Sequence, residues 1–251
     1  MFDAVLIHTT GQVVNERRKT SMQTVPLTTK HAHQVAALHI QGINRGFISS
    51  LGMNFVTSLY EAIAQSSCSF GFAVEERGRL LGYVAFTNNL NKLYKSVVVR
   101  KGWRFALLLA GKLFSFSKLK RVLETLLYPA RIKKKSTPAA ELLSIVIGSE
   151  SRGTGLATQL VHRSFEHCRA LGLDKVRVLV AAENAPANKL YQKCGFTLAG
   201  QIENHGVASN IYEASTAEPA AGTIVEEVAL RLHPPVKKES YSPKRQLNRV
   251  A

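Results

Sequence analysis

Apolar residues in this chain recur with two periods, and the switching between them lays out the elements. Residues 23–27 fit a strand. Thr28 or Thr29 stands where a helix cap belongs, ahead of helical spacing through Val35, Leu38 and Ile40 that Gly42 and Gly46 punctuate. Phe55, Val56, Leu59, Tyr60 and Ile63 share one face of a second helix. Phe70, Phe72 and Val74 alternate with small or polar residues up to the turn Glu76-Arg77-Gly78-Arg79, and Leu81, Tyr83 and Ala85 alternate on the return, which predicts a hairpin. Residues 141–147 read as a buried strand. Residues 155–171 read as a helix with Leu156, Leu160, Val161, Phe165, Cys168 and Leu171 near one stripe. Val176, Val178 and Val180 alternate in a strand over 175–181, residues 188–194 form a short helix ended by Gly195, and two more strands fall near 196–202 and 207–212.

These elements divide the chain. Residues 1–21 read as a poorly ordered extension and 22–214 as one domain, interrupted at 88–138. Residues 215–251 are an Ala/Pro/Glu-rich and then basic tail, with a candidate element at 224–232 and disorder after 233. The formal net charge is +16 over 251 residues. The interruption at 88–138 holds 13 Lys or Arg against one acid, Glu124, so it carries most of that excess. Such a balance favours anionic partners: nucleic acid, a phosphate-rich cofactor or an anionic membrane surface. Cys68, Cys168 and Cys194 lack CxxC spacing and read as reduced thiols of a cytoplasmic protein. The start of the chain carries Asp3 and no basic cluster, so no signal peptide is expected, and the longest apolar run, 105–111, is too short to span a bilayer. No metal site is expected.

Between the strand at 141–147 and the helix that follows lies Arg152-Gly153-Thr154-Gly155-Leu156-Ala157. The first amides of a helix lack internal partners and carry partial positive charge, so they suit a pyrophosphate. Glycines at 153 and 155 let the backbone approach phosphates, Ala157 leaves the first turn uncrowded, and Arg152 adds a full charge. An ordinary loop-to-helix junction has the same look. A Walker loop is excluded because no Gly-Lys-Ser/Thr follows. A dinucleotide fingerprint fits less well, because Thr158 stands where its third glycine belongs, although Glu183 follows the next strand.

A second block, Asn184 to Phe196, decides between these readings. Asn184, Ala187, Leu190, Tyr191, Gly195 and Phe196, together with Arg152, Gly155 and Ala157 at the turn, resemble the two motif blocks of the GNAT superfamily of N-acetyltransferases. The resemblance is clear over 141–196 and extends back to Met22. It implies an α/β (α+β) fold: a mixed, mostly antiparallel sheet with helices on both faces, in which two neighbouring parallel strands, here 141–147 and 175–181, splay around acetyl-CoA. Pantetheine is then expected on the backbone of Leu143, Ser144, Ile145, Val146 and Ile147. The pyrophosphate is expected on Arg152, Gly153, Thr154, Gly155, Leu156 and Ala157, with Asn184 and Asn188 as further cofactor contacts.

The implied reaction is direct attack of an amine on a thioester. It needs a neutral amine, a stabilised oxyanion and a proton for the leaving thiolate. Tyr191 matches the position that supplies this proton in many family members; the bland reading is a ring packed beside Leu190. Glu141 resembles the glutamate that ribosomal-protein N-terminal acetyltransferases carry, a candidate base; the bland reading is a strand-end carboxylate. His162 and His167 fall on the polar side of their helix. The basic, apolar insertion resembles members of the superfamily that act in bacterial surface-polysaccharide assembly. That implies an amino-sugar acceptor, anionic overall, with a peptide or protein N-terminal amine as the alternative. Trp103, Phe105, Leu108, Leu109, Leu113, Phe116, Leu123 and Leu127 bordered by basic residues read as a lid, as a contact with anionic membrane at the inner face, or as a packed flap. No base-stacking platform is evident, so specific nucleic acid is not expected. The competing class is an acyl-CoA-binding pseudoenzyme or basic binding module, against which the retained Tyr191 argues.

Overall fold

The computed structural model describes residues 22–44, 46–110, 139–204 and 206–217; of Lys101, residues 105–110, Ala139 and Asn204 it describes the backbone alone. The expectations for 1–21, for 111–138 and for the tail after 217 lie outside the described residues.

Seven strands form one mixed sheet: β1 (Gln23–Pro26), β2 (Ser69–Glu76), β3 (Arg79–Thr87), β4 (Ala139–Ile147), β5 (Lys175–Ala181), β6 (Thr197–Asn204) and β7 (Val207–Ser215). Their order is β1-β2-β3-β4-β5-β7-β6, with β4 and β5 parallel and every other pair antiparallel. The helices are α1 (Ala32–Gly42), α2 (Phe47–Ser50), α3 (Met53–Ala64), α4 (Leu90–Ala110), α5 (Leu156–Ala170) and α6 (Ala185–Lys193). Thr28 caps a short 3-10 turn that leads into α1. Asn89 caps α4, its Oδ1 accepting from the Lys92 amide at 2.9 Å.

Each face of the sheet has its own core. Val35, Ala36, Val56, Tyr60, Ile63, Tyr83, Leu93, Val97 and Val146 pack α1, α3 and α4 on one side. Phe86, Ala140, Leu142, Leu160, Val161, Phe165, Val176, Val178 and Tyr191 pack α5 and α6 on the other. The apolar stripe expected on α5 is buried except for Leu171, which is exposed. The helix ends at Ala170, and Gly172, at φ +68°, reverses the chain. The Leu173 amide bonds back to the Cys168 carbonyl at 2.9 Å, so Leu173 takes the buried place instead. His167 is half-buried against Phe70 and Phe72, with ring centroids 4.7 and 5.6 Å away, while His162 is exposed as expected.

The insertion begins as the long helix α4, which lies on α3 through Leu93 and Val97. Its outer side leaves Val98, Val99 and Trp103 exposed, with Trp103 at 67%. Trp103 therefore does not join an apolar surface against the described domain. No described helix is long and apolar enough to cross a membrane. All three cysteines are buried and free.

Leu160 is fully buried at the centre of the α5 face. Leu160→Ala should cost about 2–5 kcal/mol of unfolding free energy, read from urea denaturation, since α5 is held at both ends and the cavity cannot collapse freely.

Candidate active site

The two parallel strands separate. β4 and β5 pair from Ala139 opposite Lys175 to Leu142 opposite Val178, and no further. Beyond that point each strand keeps its other neighbour: β4 stays on β3 to Ile147, and β5 stays on β7 to Ala181. The β3–β4 register shows the reason. Phe86 faces Leu142 and Ala85 faces Ser144, so Leu143 is an extra residue in β4, a bulge that bends the strand where the separation starts. The bulge also resets the alternation. Leu143 packs toward α1 and α3, Ser144 bonds a tyrosine of α3, and Ile145 and Ile147 turn to the α5 face.

The separation opens a cleft of about 510 Å³, within the range of small-molecule sites. Its apolar lining includes Ile43, Phe47, Ile48, Leu90, Leu143 and Leu179. α1 comes close to β4 here because Gly42 has no side chain; a Cβ would stand 2.4 Å from Val146 Cγ1. Glu141 is the sole acid among the described lining residues, which include no Lys or Arg. Burial raises its pKa, against the opposing pull of Arg177. Arg177, its register partner on β5, gives Nε and Nη2 to one oxygen of Glu213 at 3.0 and 2.7 Å. Tyr94 of α4 also lines the cleft; burial and the charge of Glu141 push its hydroxyl up to about 12.

His39 of α1 borders the cleft on the same side. Its Nδ1 lies 2.7 Å from Tyr60 Oη and 3.1 Å from Tyr83 Oη; the two hydroxyls are 2.7 Å apart, and Tyr60 Oη is 2.9 Å from Ser144 Oγ. Burial lowers the imidazole pKa to about 4 and pushes Tyr60 up to about 12. His39 Nε2 is buried without a partner among the described residues, a state that typically costs about 1–3 kcal/mol. The sequence reading missed this cluster. Its only trace there is a histidine four positions after Val35, on the stripe that α1 buries.

The opposite wall is α6. Tyr191 is 4% exposed and lines the cleft, wedged against Phe196 and Tyr212. Burial, with a smaller contribution from Cys194, holds its phenol far above the usual range and so protonated. Asn184, also on the cleft, caps α6 by accepting from the Ala187 amide at 3.3 Å. Asn188 turns inward: its Nδ2 reaches the carbonyls of Ala181, Ala182 and Asn184, and its Oδ1 accepts from Asn210. It latches α6 to the end of β5.

At the C-terminal end of β4, past a 3-10 turn (Ser149–Ser151), the chain enters α5 through Gly153 at φ +79° and Gly155 at φ +87°. Gly155 is the N-cap and brings no side-chain cap to the first amides of α5. Arg152 is exposed, its Nε 3.4 Å from the Ile147 carbonyl, and Thr154 Oγ1 donates to Ser151 O at 2.7 Å. Among the described residues no three His, Cys, Asp or Glu side chains are grouped to hold a metal.

A mixed sheet parted between two parallel strands, with an uncapped glycine-framed helix start at the parting end, defines an acyl-CoA acyltransferase fold. Residues 43–196, more than half of the chain, match the acetyltransferase (GNAT) family, and the chain belongs to it. It is 40% identical over 76 residues to mycothiol acetyltransferase of Corynebacterium glutamicum, covering 30% of this chain and 25% of that protein. Over 59 residues it is 37% identical to spermidine N(1)-acetyltransferase of Vibrio cholerae, covering 23% of this chain and 34% of that one. The chain thus spans a minor part of either curated relative. In fold it is similar to an acetyltransferase structure from Salmonella typhimurium solved with its cofactor acetyl-CoA: TM-score 0.51 and 16% identity, over 80% of this chain and 97% of that one.

Gly155→Val puts a branched side chain at a backbone conformation that L-residues resist and into the open space before the α5 amides. Calorimetry on the folded variant should show CoA affinity reduced at least ~10-fold, a loss above about 1.4 kcal/mol, and the left-handed strain should lower the melting temperature by several degrees.

Proposed function

We propose that the chain transfers an acetyl group from acetyl-CoA to a primary amine by direct attack. The observation that carries this is the parting of β4 from β5. It leaves the β5-facing backbone edge over 143–147 without its strand partner, and Leu143, Ser144 and Ile145 line the cleft along it. A pantetheine arm fits that edge as an added strand. The pyrophosphate fits the α5 start, with Arg152, Gly153, Thr154, Gly155, Leu156 and Ala157 around it. Asn184, on the cleft, suits a contact with the cofactor, and Asn188 holds the wall behind it.

Bound acetyl-CoA supplies the activated thioester. The chain's own groups handle the protons. Glu141, made more basic by burial, takes a proton from the ammonium so that the nitrogen lone pair is free. The C–N bond forms as the C–S bond breaks, Tyr191 delivers its phenolic proton to the sulfur, and the second proton that the nitrogen sheds on becoming an amide returns to the Tyr191 phenolate, while the proton on Glu141 leaves to water. The two groups sit on different walls, Glu141 on β4 and Tyr191 on α6, which suits an amine arriving on one side and a thiolate leaving on the other.

The acceptor we favour is an amino sugar of surface-polysaccharide assembly, with a protein or peptide N-terminal amine as the alternative. Apolar walls and one carboxylate suit the amine end of either. α4, which lends Leu90 and Tyr94 to the cleft, carries exposed Lys92 and Lys95 that suit an anionic remainder. The exposed Val98, Val99 and Trp103 beside Arg100 and Arg104 favour a second role for α4, contact with an anionic membrane surface.

Tyr191→Phe keeps the ring and its packing, so CoA binding should persist while turnover of a verified amine falls by about 10²–10⁴; a full-rate variant would return Tyr191 to packing alone. For Glu141→Gln the rate defect should be largest at low pH, above the carboxyl's own pKa, and shrink as rising pH supplies neutral amine. A pH-independent defect would make Glu141 a positioning group. Stability offers a control. The raised pKa means folding disfavours the carboxylate, a penalty absent below the unfolded pKa of about 4.3 and fully present above the folded one. Glu141→Gln should therefore be at least as stable as the parent at neutral pH. If α4 meets membrane, co-sedimentation with anionic vesicles at low salt should weaken in Trp103→Glu; wild-type protein that stays in the supernatant excludes that role.

A further inference from the structure

His39 has no part in the proton transfers above, yet its surroundings are built for more than packing. It is 7% exposed, sits on the buried stripe of α1 and borders the cleft beside Gly42 and Ile43. Tyr60 from α3 and Tyr83 from β3 fix the Nδ1 edge, and the β4 bulge brings Ser144 to complete the hydroxyl chain. Two hydroxyls from two other elements thus meet one ring nitrogen, with Ser144 behind Tyr60, while the other nitrogen, Nε2, has no partner among the described residues.

We propose that His39 Nε2 accepts a hydrogen bond from the amine of the acceptor substrate, and that Tyr60, Tyr83 and Ser144 are positioning residues for it. This rests on the acetyl-transfer reading. A neutral primary amine presents two N–H groups and one lone pair. One acceptor leaves the nitrogen free to rotate; with His39 Nε2 as a second acceptor beside Glu141, both on residues that line the cleft, the lone pair would be directed at the thioester carbon. The hydroxyl chain can run in either direction, and the proposal requires one of them: Nδ1–H donates to Tyr60 Oη, Tyr60 donates to Ser144 Oγ, and Nε2 keeps its lone pair for the ligand. Burial keeps the imidazole uncharged at neutral pH, so it remains an acceptor and does not repel an incoming ammonium. No charged group other than Glu141 belongs to the described lining of the cleft.

The test uses the intact chain with acetyl-CoA and a panel of amines that includes glucosamine and an alanine-initiated peptide as named probes. His39→Leu should lose at least ~10-fold in kcat/KM for the amine, while the KM for acetyl-CoA, CoA affinity by calorimetry and amine-free acetyl-CoA hydrolysis stay at wild-type values. His39→Gln, which retains an acceptor oxygen, should recover part of the loss. In 15N-histidine-labelled wild-type protein with CoA bound, adding the accepted amine should shift the His39 Nε2 resonance. That measurement decides the matter if His39→Leu fails to fold, since an unshifted Nε2 at saturating amine overturns the proposal. So does a His39→Leu enzyme with undiminished kcat/KM for the amine, or one whose CoA affinity falls in step with its rate. A wild-type protein that binds acetyl-CoA and acetylates no amine of the panel defeats the acetyl-transfer reading and this inference together. One that acetylates an amine equally well with leucine at position 39 defeats the inference alone.

Discussion

Everything distinctive about this site depends on one irregular residue in a strand. β4 is fully committed to β3 on one side, and β5 is fully committed to β7 on the other, so neither can swing away as a unit. The extra residue at Leu143 bends β4 within its existing ladder, and the shared β4–β5 ladder stops one residue earlier, at Leu142. A sheet that closed over its full length would bury the same side chains and satisfy the same amides internally. The bulge exchanges those few internal hydrogen bonds for a cleft with an unpaired polar edge, which only a ligand or water can satisfy.

The same irregularity sorts the chemistry by face. Without the bulge, Ser144 would point toward α5 and the hydroxyl network would end at Tyr60. With it, Ser144 joins His39, Tyr60 and Tyr83 on the α1/α3 side, where Glu141 and Tyr94 also border the cleft. The α6 side keeps Tyr191, pressed between Phe196 and Tyr212. The buried side-chain amide of Asn188 ties that wall to the Ala181 carbonyl at the end of β5, so a short side chain holds α6 against the strand.

Most of the fold was legible because its long elements carry clear periods. Val176, Val178 and Val180 do alternate into the α5 face, and Arg77-Gly78 does make the two-residue hairpin turn, both residues at positive φ. The family was legible because the anion turn and the Asn184–Phe196 block leave fixed residue types in the chain. Three things were not legible, for different reasons. Leu171 satisfied helical spacing, but Gly172 reversed the chain one residue sooner and gave its place to Leu173. The bulge is a register offset between two strands, and neither strand records it alone. The His39 cluster draws one residue each from α1, α3, β3 and β4, far apart in sequence. Each of them reads locally as an ordinary amphipathic position.

The electrostatics of the cleft run against the composition of the chain. A net charge of +16 suggests a site ruled by cations, yet the described cleft lining holds one carboxylate and no Lys or Arg. Its groups are tuned by loss of water instead: burial is the largest cause of the shifts at Glu141, His39, Tyr94 and Tyr191. Desolvation favours the uncharged form of each, giving a stronger carboxylate base, a neutral imidazole and protonated phenols. For the proposed reaction, in which an amine must lose its charge before it attacks, this direction helps, because the environment that raises the Glu141 pKa also disfavours an ammonium beside it. A lysine or arginine in the lining would reverse that benefit at Glu141 by lowering its pKa, as Arg177 does in part. Arg177's two bonds to Glu213 tie its guanidinium to the neighbouring strand, and burial remains the stronger influence on the Glu141 carboxyl.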